Sequence, residues 1–160
     1  MININLICVG KLKEKYWNLA CNEYIKRLSA FCKFSIIEVD EYKISNKYND
    51  ADIKNVIKEE GKRILTKIPN NMYVISLCIE GQALSSTELS QYIFNLTISG
   101  VSSITFVIGG SWGLSKDVKD VSSLKLSMSK MTFPHQLARV MLCEQIYRVF
   151  QILNVGKYHK

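Results

Sequence analysis

Apolar residues follow two spacings along this chain, short runs typical of buried strands and longer stretches with helical periodicity. The short runs predict strands over 2–9, 34–39, 72–79, 104–108 and 124–128. Helical spacing predicts helices over 13–31, 51–68, 85–98 and 116–121, and a last helix that begins near Pro134 and ends at Gly156. Strands that alternate with helices predict an α/β fold, with a mostly parallel sheet and helices on both faces.

The helix predicted over 85–98 has a defined start signal. Ser85-Ser86-Thr87-Glu88 has the spacing of a capping box, in which a serine side chain and a glutamate side chain bond each other's backbone N–H groups. We therefore expect Ser85 to precede the first helical turn.

The length of the chain, 160 residues, suits one domain with a sizeable core, so we expect a single domain over 1–160. No apolar stretch reaches the roughly 18 residues of a membrane span. The first residues also lack the basic flank and small-residue cleavage site of a signal peptide. We therefore expect neither secretion nor membrane insertion, but a cytoplasmic protein.

The charge balance favours a polyanionic partner. Lysine and arginine number 21 against 14 acidic residues, a net charge of +7. The alternative is that this surplus only confers solubility. The five cysteines show no C-x-x-C spacing and the chain has two histidines, so we expect reduced core thiols and no metal site.

Two loops are candidates for a nucleotide-type ligand site. One contains Gly109, Gly110 and Gly113 after the fourth predicted strand, and the other spans 128–136 after the fifth. Both should emerge at the carboxyl edge of the sheet, where open α/β sheets bind ligands. Glycines let backbone N–H groups approach a ligand closely, although the same residues could form only a tight strand-to-helix turn. Neither a dinucleotide fingerprint nor a P-loop is present.

Several separated motifs resemble those of a known family. They lie at 7–11, 106–110, 129–136, 139, 144–148 and 158–160. The motifs occur in the same order as in the SPOUT class of RNA methyltransferases, and the total length fits. The chain therefore resembles that class over its whole length, from Met1 to Lys160. Within that class it resembles the small bacterial enzymes that methylate N3 of a pseudouridine in 23S ribosomal RNA.

The resemblance implies further properties. It implies the SPOUT α/β-knot fold with a deep trefoil knot in the C-terminal third, which sequence pattern alone does not predict. It also implies S-adenosylmethionine as the methyl donor, no metal, and a homodimer formed through the last helix and the knot region. The expected substrate is 23S ribosomal RNA, modified late, in the assembled ribosome.

The residues that the resemblance assigns to the cofactor lie in three loops. They should hold the adenine mainly through main-chain hydrogen bonds and apolar packing. From the sequence alone, packing in the core is the favoured interpretation of Leu77. The cofactor-binding residues predicted in this way are Leu77, Gly109, Met128, Ser129, Lys130, Met131, Thr132 and Phe133.

Methyl transfer from a sulfonium is an in-line displacement, and the acceptor imide must lose its proton to become a good nucleophile. A general base or a cationic group would serve. The resemblance implies that the C-terminal tail reaches the partner subunit's pocket, with His159 nearest the acceptor base and Tyr158 positioning it. His135 is the other candidate, near the positive end of a helix dipole that disfavours its protonation. A purely structural role for His135 is the alternative.

Other residues are candidates for substrate binding. Arg139, His135 and Lys160 are expected to contact RNA, although Arg139 could instead support the dimer. Lys160 cannot form the bidentate fork of an arginine. A cluster of three lysines, Lys11, Lys13 and Lys15, suggests a contact with the RNA backbone. Trp112 could stack on a base or be an exposed or interface tryptophan without a ligand.

Two competing functions remain open. One is a SPOUT ribose 2′-O-methyltransferase acting on transfer RNA, disfavoured because the chain lacks that group's appended module or N-terminal arginine motif. The other is a non-catalytic nucleotide-binding or ribosome-associated module that retains the pocket.

Overall fold

The computed structural model describes residues 1–155. In that part of the chain five strands alternate with five helices, as the apolar spacing predicts. The elements are β1 (Asn3–Val9), α1 (Lys15–Leu28), β2 (Lys33–Val39), α2 (Asp50–Lys67), β3 (Tyr73–Ala83), α3 (Ser86–Ile98), β4 (Ser103–Ile108), α4 (Lys116–Asp120), β5 (Leu124–Ser127) and α5 (His135–Val155).

The five strands form one sheet in the order β2-β1-β4-β3-β5, and every pair in it is parallel. The prediction of an α/β fold with a mostly parallel sheet is therefore confirmed. Because parallel strands all point the same way, the loops that follow β1, β3, β4 and β5 emerge at one edge. This carboxyl edge brings together segments that are distant in sequence.

Helices cover both faces of the sheet, so the apolar runs in the strands are buried on both sides. Leu6 and Phe106 belong to the larger core, which includes side chains of α1, α3 and α5. Their neighbours Ile7 and Val107 point to the opposite face and pack in the smaller core with α2 and α4.

The predicted capping box is confirmed. The Ser85 hydroxyl accepts a hydrogen bond from the Glu88 N–H at 3.1 Å, and the Glu88 carboxylate accepts one from the Ser85 N–H at 2.7 Å. A second box at the start of α2, formed by Asn49 and Asp52, has the same spacing but was not predicted. In both helices these side chains satisfy backbone N–H groups that have no partner within the helix.

β3 extends further than predicted. The short apolar run predicts an end at Ile79. Instead, Leu77 and Gln82 both pair with Leu126 of β5, so the four residues between them bulge out of the register. Pairing then resumes, because Gly81 lies against the β5 backbone, where a Cβ would come within 2.7 Å of Lys125. This excursion, residues 78–81, brings part of β3 to the carboxyl edge.

α5 is the longest helix of the described residues, 21 residues from His135 to Val155. Within 1–155, no helix is long and apolar enough to cross a membrane. The predicted helix breaker Gly156 lies outside the described residues. The trefoil knot that the resemblance implies stays a prediction.

Candidate active site

A cavity of about 900 Å³ opens at the carboxyl edge of the sheet. Its size is that of a small-molecule site, roughly 300–1,000 Å³. Three segments form its walls: the β3 excursion, the glycine loop after β4, and the loop from β5 to α5. Seven of the eight residues predicted to bind the cofactor line it, namely Leu77, Gly109, Met128, Ser129, Met131, Thr132 and Phe133.

Lys130 is the predicted cofactor residue that does not line the cavity. Its side chain is exposed to solvent, whereas its neighbours on both sides, Ser129 and Met131, are lining residues. The loop therefore turns Lys130 away from the cavity wall. Consecutive residues in a loop do not share one direction, and a contiguous sequence motif does not reveal which member turns outward.

The β3 excursion supplies one wall. Leu77 both lines the cavity and packs against the larger core, so its two possible roles are compatible. Cys78, Ile79 and Glu80 follow it along the wall. Residues 78–81 have no register partner in β5, so the wall here is formed outside the regular β3–β5 pairing. The sequence pattern did not identify these three lining residues.

The glycine loop is both a tight turn and a cavity wall. The Gly113 N–H donates to the Gly110 carbonyl at 3.1 Å, and Gly113 has a φ of +84°. A Cβ on Gly109 would come within 2.7 Å of the Gly113 backbone, so no larger residue fits without moving the turn. The tight turn is therefore confirmed, and the approach of a ligand to these glycines stays a prediction.

Hydrogen bonds within the third wall hold the start of the loop from β5 to α5. The Ser127 hydroxyl donates to the Ser129 carbonyl at 3.1 Å, and the Ser129 hydroxyl accepts from the Met131 N–H at 2.9 Å. Met131 lies at the mouth with 73% of its surface exposed, whereas Phe133 is half-buried. An apolar side chain exposed beside a cavity gains most from being covered by a ligand.

His135 is the first residue of α5 and lines the cavity. Burial lowers the pKa of its imidazole below the ordinary value, and the positive charges of Arg139 and Lys13 lower it further against the opposing effect of Glu41. The ring is therefore uncharged at neutral pH. This agrees with the direction expected from the helix dipole and leaves His135 able to accept or donate one hydrogen bond.

Arg139 is buried in the structure, which argues against the predicted direct contact with RNA. Its side chain is 1% exposed. One guanidinium nitrogen donates to the Glu38 carboxylate at 2.8 Å, and another donates to the Gly10 carbonyl at 2.8 Å. A buried arginine must be paired to offset its desolvation, and these two bonds tie α5 to the ends of β1 and β2. In this structure Arg139 therefore anchors the start of α5 to the sheet.

Two charged residues, Glu80 and Lys119, also line the cavity. Lys119 forms an ion pair with Glu80, and the hydrogen bond between them lowers the pKa of the Glu80 carboxyl.

The three lysines at 11, 13 and 15 are exposed at or just before the start of α1, as an RNA-backbone contact requires. Their contact with RNA remains a prediction.

The predicted catalytic residues Tyr158 and His159, and the predicted substrate contact Lys160, lie outside the described residues. Within 1–155, no group of three His, Cys, Asp or Glu side chains is placed to hold a metal ion.

Comparisons with known proteins place this fold in a family. The family described as "Predicted SPOUT methyltransferase" matches residues 2–159. A Clostridium novyi (strain NT) protein named "Ribosomal RNA large subunit methyltransferase H" is 51% identical over 160 residues, covering 99% of this chain and all of that protein. A Methanococcus maripaludis protein with the same name, marked putative, is 50% identical over 159 residues, again covering 99% of this chain and 100% of that protein.

Two solved structures share the fold at low sequence identity. A probable methylase family protein from Haemophilus influenzae Rd KW20 has a TM-score of 0.56 and 10% identity, covering 99% of this chain and 71% of that one. A structure described as giving insight into 2-OH methylation on tRNA has a TM-score of 0.54 and 13% identity, covering 94% of this chain and 97% of that one. Together with the match over residues 2–159, the full-length similarity to named methyltransferases shows that this chain belongs to the SPOUT methyltransferase family.

Proposed function

We propose that this protein methylates N3 of a pseudouridine in 23S ribosomal RNA, with S-adenosylmethionine as the methyl donor. One observation carries the proposal. A cavity at the carboxyl edge is lined by seven of the eight residues assigned to the cofactor by resemblance. The curated relatives, half identical over their full length, support large-subunit ribosomal RNA as the substrate.

The residues of the cavity fit S-adenosylmethionine. The apolar side chains of Leu77, Leu114, Leu126 and Phe133 form walls suited to an adenine ring. The residues of the β3 excursion, which have no register partner in β5, would supply main-chain hydrogen bonds to the adenine. When bound, the cofactor supplies an electrophilic methyl group on a sulfonium sulfur. The chain's task is then to align that carbon with the acceptor nitrogen and exclude water.

The protein must also accept the imide proton. We propose that His159 lies nearest the acceptor base in the cavity of the partner subunit, with Tyr158 positioning it and Lys160 near the RNA. His135 is an uncharged imidazole on the cavity wall and would contact the substrate there. A group that stays unprotonated at neutral pH is able to accept a proton or a hydrogen bond from the imide.

We further propose a homodimer, acting in the cytoplasm on assembled ribosomes, with one domain and the deep trefoil knot of the family. α5 supports the dimer. Leu137, Val140 and Met141 occupy one face of this helix at i, i+3 and i+4, are only half-buried, and belong to neither core. Burying this stripe against a second copy would remove apolar surface from water. A dimer would also give a small chain a composite surface for RNA.

The experiment that tests the function uses purified protein and labelled S-adenosylmethionine. Assembled ribosomes, free large subunits and transfer RNA are incubated in parallel, and the modified nucleoside is mapped by mass spectrometry. We expect N3-methylpseudouridine with assembled ribosomes. Label in transfer RNA would instead support a ribose methyltransferase, and tight cofactor binding without transfer would support a binding module.

A substitution of the tail tests its catalytic role. Replacing His159 with alanine should lower kcat by about 10²–10⁴-fold, the usual contribution of a general acid or base. Affinity for S-adenosylmethionine, measured by calorimetry, should stay unchanged. Unaltered kcat in His159→Ala would remove this residue from the mechanism.

A further inference from the structure

An exposed aromatic pair stands at the mouth of the cavity. Trp112 lines the cavity, yet 38% of its surface is exposed. Tyr48, in the segment before α2, is 50% exposed and meets the indole edge to face, with ring centroids 5.3 Å apart and planes at 70°. Neither ring belongs to either core. Two large rings left in water beside a ligand site indicate a binding surface.

The backbone holds Trp112 in place before any ligand arrives. Ser111 and Trp112 are the two central residues of the turn that the hydrogen bond from Gly113 to Gly110 closes. The close approach of Gly109 to Gly113 leaves this turn little room to shift. The Tyr48 ring then restrains the indole from the side. An aromatic surface fixed in this way loses little conformational entropy when a flat partner stacks on it.

The position of the pair favours an RNA base over the cofactor's adenine. The buried apolar walls of the cavity lie deeper, whereas Tyr48 is not a lining residue, so the pair extends from the cavity towards the outer surface. Lys43 and Lys47 are exposed in the same segment as Tyr48, where a phosphate backbone would pass. A base that enters the cavity must leave its stack, which uncovers the faces of its neighbours.

We infer that Trp112, braced by Tyr48, stacks on a nucleobase of the RNA substrate next to the base that enters the cavity. This inference rests on the proposed function for the identity of the substrate. Aromatic stacking on unpaired bases tolerates different sequences and is a common way for proteins to hold single-stranded loops. Trp112 is thus a substrate-positioning residue.

Two titrations test the stacking without relying on catalysis. A Trp17→Phe variant leaves Trp112 as the remaining tryptophan of the chain's two. A short RNA hairpin with a single-stranded loop, labelled with fluorescein, reports binding by anisotropy. The same hairpin without label should quench the Trp112 emission in step with that binding. In the complementary Trp112→Phe variant, the Trp17 emission should not change.

Kinetics on ribosomes test the role in methyl transfer. Trp112→Ala should raise the KM for ribosomes about 5- to 150-fold, the range that base–aromatic stacking of roughly 1–3 kcal/mol gives, with a smaller effect on kcat. Trp112→Phe should recover part of this loss, and Tyr48→Ala should show a smaller one. Tyr16→Ala is the matched control, because Tyr16 is 59% exposed in an edge-to-face pair with Trp17 on α1. Its KM should equal that of the wild type.

The outcomes separate this inference from the proposed function. Quenching without methyl transfer to any RNA would support stacking and reject the proposed function. Binding of the hairpin without quenching, equal affinity in Trp112→Ala, or no binding at all would overturn the inference. A loss confined to S-adenosylmethionine affinity would also overturn it, in favour of an adenine contact.

Discussion

Replacing Arg139 with methionine tests how α5 is anchored to the sheet. Two arginines of this helix pair with glutamates in different surroundings. Arg139 is 1% exposed and bonds both Glu38 and the Gly10 carbonyl, each at 2.8 Å. Arg148 is 53% exposed and pairs with Glu144 one turn away. The structure therefore provides a matched control within one helix.

The expected loss of stability depends on how buried the substituted arginine is in each pair. Breaking a buried ion pair by removing one partner costs about 3–5 kcal/mol. Glu38 is 35% exposed and regains part of its hydration, so we expect about 2–4 kcal/mol for Arg139→Met. Methionine retains apolar volume in the site. For Arg148→Met we expect about 0.5 kcal/mol or less, because exposed i,i+4 pairs contribute little.

Urea denaturation measures both variants at one protein concentration, because dimerisation would make stability depend on concentration. An Arg139→Met variant that loses no more stability than Arg148→Met would show that the buried pair does not anchor α5. If Arg139→Met instead keeps its stability and loses RNA affinity, the guanidinium leaves its buried position to contact the substrate, as the sequence alone suggested.

Three further predictions concern the cavity. Gly109→Ala should lower S-adenosylmethionine affinity about 5- to 150-fold, because overpacking a rigid turn costs roughly 1–3 kcal/mol and displaces the cavity wall. Gly100→Ala, whose Cβ would meet nothing within 4 Å, should leave calorimetric affinity unchanged despite its strained φ. Lys130→Ala should also leave that affinity unchanged, since its side chain is exposed and off the cavity wall. Because the pKa of His135 is lowered in the folded protein, the unfolded chain binds the proton more tightly. The free energy of unfolding should therefore fall as pH drops below about 6.5, and urea titrations of His135→Gln should lack this component.

Local sequence signals located the elements well. Alternating strand and helix periodicities gave all ten elements in order, and the capping box placed the start of α3 at Ser86. These signals are local because a helix buries one face and satisfies its first N–H groups within a few residues. The end of β3 was missed because resumed pairing after Gly81 depends on contact with Lys125, more than forty residues away in sequence.

Some features of the candidate site were likewise predictable from local sequence, and others were not. Motifs predicted the loops that form the cavity, since parallel strands bring their carboxyl ends to one edge whatever the strand order. The motifs did not predict the direction of each side chain within those loops, as the exposed side chain of Lys130 shows. The burial of Arg139 could not be predicted from local sequence either, because its partner Glu38 lies 101 residues earlier in the chain.

The sequence by itself determined the fold class, the site-bearing loops and the family resemblance, because these depend on periodicity, glycine positions and ordered motifs. The tertiary structure alone decided which residues share a cavity wall, which charges are paired and which rings stay exposed. Trp112 shows the difference. Its position in the glycine loop was visible in the sequence, but its pairing with Tyr48 required two segments to meet in space. Contacts between distant segments are set by packing of the whole chain, and no local pattern encodes them.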